Sequence, residues 1–227
     1  IAAALAVIMA ASAIQATVGM GMALIGVPLL ALVDPRFIPG PMLLGGLFQT
    51  VVSTYRARHH LETRNLRWSL VGLGAGTLMG AVILDHFNGP SMPRLFGALV
   101  ITAVAISASG VRVAPTRRAF LVSGTASGIM GTMVGIHGPP IGIVLQNAKP
   151  ETIRAMLSAF FTVAGAGAVI ALVSVGLFGL EQLVMAAILV PGVLAGLLIA
   201  PLFGRFAAGR VMRIAILCVS AAGGLML

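Results

Sequence analysis

His137 is the one ionisable side chain lying well inside an apolar run of this 227-residue chain, and it stands in the stretch Gly135-Ile136-His137-Gly138-Pro139-Pro140. Tandem proline lacks two consecutive backbone donors and cannot continue a regular helix, so the segment reads as broken. A lone histidine is ordinarily a hydrogen-bonded structural residue; beside a broken backbone at membrane depth it is equally a candidate ligand. An earlier apolar run carries a similar pattern, in which Gln15 and Thr17 precede Gly19-Met20-Gly21 and then Gly26-Val27-Pro28. Gln49 and Thr50 lie midway along the next run, and Gln146-Asn147 close the run that holds His137. Amides at membrane depth either glue helices together or line a path. A broken helix exposes unpaired N–H groups, and the half-helix starting at the break points its positive dipole end at the gap. Such a site binds an anion, with glutamine and neutral histidine completing it without the desolvation cost of a buried cation. The candidate substrate-binding set is Gln15, Gly19, Gly21, Gln49, Gly135, His137, Gly138 and Pro139.

Other chemistries find little support. Asp34, Asp85, Glu151 and Glu181 all sit at the ends of apolar runs, so a proton pump or sodium symporter built on buried carboxylates is not expected. The single cysteine, Cys218, excludes an intrachain disulfide and a thiolate metal cluster, and neither a metal nor an organic cofactor is expected. Gly124-Thr125-Ala126-Ser127-Gly128 comes near a serine-nucleophile motif. Its spacing is Gly-x-x-Ser-Gly, whereas intramembrane serine proteases use Gly-x-Ser-Gly. There is no HExxH and no intramembrane aspartate pair, so an enzyme is not expected.

The elements that must position these residues follow from composition. The chain is 59% hydrophobic and 8% charged, with a mean hydropathy of +1.11, against about 25% charged residues in a soluble domain. Charge-free runs occupy 1–33, 37–55, 68–84, 95–111, 119–148, 155–180, 182–204 and 214–227. All but the last reach the roughly 17 residues that a spanning helix needs. These features predict an all-α, multi-pass membrane protein, since a barrel would show short alternating strands. The net charge of +9 sits in short gaps between the runs and reads as orientation in the bilayer, not as a nucleic-acid surface. Both termini fall inside apolar runs, so the chain is expected to have been trimmed there.

A shift of 116 residues lays the first run on the fifth without a gap. Val18-Gly19 meets Val134-Gly135, Ile25-Gly26 meets Ile141-Gly142, Gly76 meets Gly192, Gly80 meets Gly196, Phe87 meets Phe203 and Arg94 meets Arg210. The order of these matches predicts two repeats, about 1–111 and 117–227, within a single membrane domain covering 1–227. Arg56, Arg58, Arg64 and Arg67 crowd one loop whose counterpart holds Glu181, whereas the loop near Asp85 is sparse and its counterpart holds Arg205, Arg210 and Arg213. The positive side changes between halves, which predicts inverted topology. Inversion requires an odd number of crossings per half. The two long glycine-rich runs are therefore expected to dip in and return, with breaks near 19–28 and 135–140. The loops holding Arg56 to Arg67, Arg112 to Arg118 and Lys149 to Arg154 are then cytoplasmic. Gly72, Gly76 and Gly80, and likewise Gly192 and Gly196, recur every four residues and read as helix-packing faces.

The stretch from Gly19-x-Gly21 to Pro28, its second-half copy from Gly135 to Pro140, and the basic segment from Arg56 to Arg67 resemble the TauE/SafE sulfite exporter family, also called the toluenesulfonate/sulfite uptake permeases. The likeness covers essentially the whole chain. It departs at Met22-Ala23, where the family carries a fuller glycine run, and at His137, which stands where the first half has Gly21. The resemblance implies transport of sulfite, sulfonate or a related small sulfur oxyanion across the bacterial inner membrane, with a homo-oligomer compatible. The alternatives are a carrier of a different small anion and a helical membrane subunit that needs partners for activity.

Overall fold

In a computed structural model that describes residues 1–86, 92–111, 113–207 and 218, the chain is helical and has no strand among those residues. The helices are α1 (Ala2–Val18), α2 (Met22–Val33), α3 (Gly40–Ala57), α4 (Thr63–His86), α5 (Met92–Ala108), α6 (Arg117–Val134), α7 (Gly138–Leu145), α8 (Pro150–Ser174) and α9 (Leu180–Ala207). Phe87, Arg112, Arg210, Arg213 and the last apolar run apart from Cys218 lie outside the described residues, as do the side chains of Phe203 and Arg205.

Three described helices are long and apolar enough to cross a membrane by length and composition, namely α4, α8 and the Leu180–Leu202 part of α9. The other runs are shortened by their own sequences. Glycine divides the first and fifth, while Arg56 ends α3 and Arg117-Arg118 begin α6. At 12 and 8 residues, α2 and α7 measure about 18 and 12 Å, well short of a hydrocarbon core about 30 Å thick.

The prolines occupy different places from those expected. Pro28 lies within α2, and Pro139-Pro140 open α7 instead of ending a helix. The interruptions are therefore confined to Gly19–Gly21 and Gly135–His137. First-turn prolines forfeit only N–H groups that have no partner inside the helix. Pro28 is buried among neighbouring helices, a setting in which an interior proline is tolerated.

Packing is organised by exchange between the halves. The most extensive interface pairs α4 with α6, and the next pairs α1 with α9. Each pair runs parallel. Gly72, Gly76 and Gly80 of α4 face Leu121, Thr125 and Ile129 of α6, while Gly124 and Gly128 of α6 face Ser69 and Leu73 of α4. A Cβ on Gly76 would run into the Thr125 carbonyl, and one on Gly124 into that of Ser69. Gly192 and Gly196 of α9 lie on Leu5 and Met9 of α1, where the Ser12 hydroxyl donates to the Val193 carbonyl at 2.9 Å. Small residues every fourth position let backbones approach, which supplies the van der Waals contact that holds helices together in lipid.

Helices α3 and α8 pack antiparallel. Gly40 at the start of α3 faces Phe178 beyond the end of α8, Leu43 and Leu47 face Gly165, and the turn Arg58–His60 abuts the start of α8. Towards the end of α3 the Thr54 and Thr162 hydroxyls are 3.1 Å apart. Contacts also sort the loops into two ends. Arg36 bridges Asp34 (2.7 Å) and Glu181 (3.3 Å) at one end. At the other, Gln146 donates to the Val111 carbonyl at 2.7 Å and Arg117 stacks over Trp68 at 5.6 Å. The hydrogen bonds from Arg36 hold the Asp34 carboxyl below the usual carboxylate range.

Candidate functional site

Glycine ends the helix at both interruptions. Gly19 (φ 91°) and Gly135 (φ 80°) adopt the left-handed conformation, each closing its helix with a 2.8 Å bond from its own N–H, to the Gln15 carbonyl and the Gly131 carbonyl respectively. Gly21 (φ 129°) completes the first turn. Side chains rarely tolerate these angles, so glycine is required here. Beyond Gly21 the chain doubles back along α1. Met22 lies beside Gln15, and a Cβ on Gly26 would sit 3.8 Å from that of Ala11.

The interruptions meet. Met20 of the first packs against Gly138 and Gly142 of α7, and Gly135 of the second packs against Val27 of α2 and Leu43 of α3. Between them is a cavity of about 60 Å³ bounded by Gln15, Gly21, Gly135, His137, Gly138 and Pro139. A single water needs about 10–15 Å³ by this measure, so the space suits one small oxyanion or about four waters. Met20, Met22, Met42 and Phe161 supply apolar walls, and the described lining contains no carboxylate, lysine or arginine.

The polar side chains of the described lining are Gln15 and Thr50 from the first half and His137 from the second, and Gln15 and His137 stand on opposite sides of their interruptions. In the first half the Gln15 side-chain oxygen accepts from the Met22 N–H at 3.1 Å, capping α2. In the second, His137 is the residue before α7, 6% exposed, and its Nε2 has no hydrogen-bond partner. The imidazole lies against Gly131, where a Cβ would collide with the ring, and its centroid is 6.5 Å from that of Phe161. At the 116-residue offset Gln15 corresponds to Gly131 and Gly21 to His137. Between the halves the polar residue and the glycine have changed places. Pro139 and Pro140 carry no N–H, which leaves Gly138 and Ile141 as the donors of the first turn of α7.

Six of the eight sequence-selected residues therefore line one cavity. Gly19 faces outward onto Arg154. Gln49 is fully buried away from the cavity lining and donates to the Ser12 carbonyl at 2.8 Å, which ties α3 to α1. Gly131, Met20 and Phe161 were not selected from sequence. The pairing of Gln15 with Gly131 at the repeat offset was the available signal for the first, whereas nothing local marks the other two. No group of three or more potential metal ligands occurs among the described residues.

A family model described as sulfite exporter TauE/SafE matches residues 4–227. A protein of Cupriavidus necator described as a probable sulfite/organosulfonate exporter TauE is 27% identical over 198 residues, covering 82% of this chain and 75% of its own length. No solved structure matches.

Proposed function

This chain belongs to the TauE/SafE sulfite exporter family, and on that premise we propose that it carries a small sulfur oxyanion, sulfite or an organosulfonate, across the bacterial inner membrane. It is a transport protein and not an enzyme. The observation that carries the substrate reading is the cavity where the two interruptions meet. The buried His137, whose Nε2 has no hydrogen-bond partner, lines a space whose described lining is free of carboxylates, beside the N-termini of α2 and α7. The backbone of α2, the Gly138 N–H and His137 would hold the oxygens of the anion, while the methionine and phenylalanine walls exclude water. Gln15 occupies a donor of α2 that a substrate oxygen would take over. Gly19 and Gly135 supply the turns, and Gln49 holds α1 in place.

The same reading makes the halves inverted repeats whose glycine-rich hairpins enter the membrane and return. Its supports are the antiparallel run of the equivalent helices α3 and α8, the reversal of α2 along α1, and the exchanged pairs α1–α9 and α4–α6. The basic end, with Arg56 and Arg154, is then cytoplasmic. Transport would proceed by alternating access around a fixed central site, as in other inverted-repeat carriers.

Purified chain reconstituted alone in liposomes should move radiolabelled sulfite. Absence of flux that is restored by a second membrane component would favour the subunit reading instead.

A further inference from the structure

A second cavity, of about 710 Å³, adjoins the first and shares Gln15 with it. Among the described residues its charged lining is Arg56 from the end of α3, Arg154 from the first turns of α8 and the carboxylate Glu151, and His60 also lines it. Neither guanidinium forms an ion pair or hydrogen bond with Glu151 or any other described residue. The neighbouring Arg58 behaves differently, stacking over the Tyr55 ring at 4.2 Å and donating to the Tyr55 carbonyl at 2.8 Å. Arg154 also touches the interruption itself, since a Cβ on Gly19 would lie 3.1 Å from its Cγ. Two arginines whose guanidinium groups have no partner among the described residues therefore line one space, next to a site whose described lining holds no cation.

We propose that this outer cavity is a second binding site for a small oxyanion, from which the substrate passes Gln15 into the inner cavity. The identity of that anion rests on the transport reading above. Guanidinium pairs bind oxyanions through several directed hydrogen bonds at once. The site is wide and wet, so its hold is weak and screened by salt, which suits loading more than retention. The inner cavity binds without a cation and the outer one with two, so anions concentrate outside and discrimination happens within. An anionic lipid phosphate has the same chemistry, but the shared Gln15 places this cavity on the substrate route.

The test compares wild type, the Arg56→Gln/Arg154→Gln double variant and Arg58→Gln in phosphatidylcholine vesicles, measuring sulfite flux against concentration and salt, with equilibrium sulfite binding to the same proteins. The double variant should raise KM about tenfold, as expected for loss of one charged hydrogen bond, with maximal rate retained and the salt dependence of KM removed. Arg58→Gln should match wild type. If wild type moves sulfite and the double variant keeps its KM and salt dependence, the outer site is overturned while the transport function stands. An equal effect of Arg58→Gln makes the result one of general surface charge and also overturns it. If the arginine effect appears only with phosphatidylglycerol present, the occupant is a lipid phosphate and the loading role fails. Sulfite binding that depends on both arginines without any flux would keep the site and overturn the function. Absence of both binding and flux overturns both.

Discussion

His137 and Gln15 stand on opposite sides of their respective interruptions, and Gly131 leaves room for the His137 ring. Their roles separate by substitution. On the proposed reading His137→Ala removes a donor to the bound anion and should weaken sulfite binding about ten- to hundredfold, the equivalent of about 1.5–3 kcal/mol. His137→Gln keeps a neutral donor and should bind within a few-fold of wild type, but with a flatter pH profile. Sulfite itself titrates near neutral pH, so comparison of the two variants decides what wild type alone cannot. Wild-type affinity in both would reduce the imidazole to a packing residue. The reciprocal glycines give a second prediction. Gly131→Gln alone drives a side chain into the imidazole, and His137→Gly alone opens a void. The double variant Gly131→Gln/His137→Gly rebuilds the first half's arrangement in the second. Its loss of stability should therefore be smaller than the sum of the two single losses, a coupling of about 0.5–3 kcal/mol by double-mutant cycle. Additive losses would show that the two halves do not use equivalent geometry.

Among the elements, the parallel pair α4 and α6 depends most on what its residues lack. Gly76 has the Thr125 backbone where a Cβ would go, whereas Gly74, two residues away on the same helix, has nothing within 4 Å. Gly76→Leu should separate the pair and abolish stable insertion, while Gly74→Leu should be silent; detergent-solubilised monodispersity and melting temperature report both. This interface was legible because a four-residue glycine spacing has one plain physical use in lipid. The helix limits were less so. Pro28 and Pro139-Pro140 looked like breakers, yet the breaks are made by glycines in left-handed conformation, and the prolines sit where the local hydrogen-bond pattern or the surrounding helices accommodate them. The inner cavity was readable in six of its residues, since they flank those glycines. Arg154 and Phe161 were not, because their place depends on how α8 crosses the first interruption, and no local pattern encodes a crossing.

For the molecule as a whole, the contacts divide the loops into an acidic end around Asp34 and Glu181 and a basic end around Arg56, Arg117 and Arg154. With Cys218 replaced by serine, Glu62→Cys and Glu181→Cys should react with an impermeant thiol reagent from opposite faces of right-side-out vesicles, Glu181→Cys alone being labelled from outside. Labelling of both from one face would contradict the inverted arrangement. Because each half packs its glycine-faced helix on a partner from the other, residues 1–111 and 117–227 expressed separately should be degraded, and co-expressed should assemble; stable accumulation of either alone would count against the exchange. The exchanged pairing also has a temporal side. Ser12 must find Val193, 181 residues later in the chain, and at about 5–20 residues per second the ribosome takes about ten to forty seconds to deliver it. Throughout that interval α1 waits in the bilayer with the face meant for α9 turned to lipid, or guarded by whatever the insertion machinery lends it. The glycines that permit the final backbone approach, Gly192 and Gly196, lie on α9 itself, so the groove that fits α1 does not exist until that helix is made.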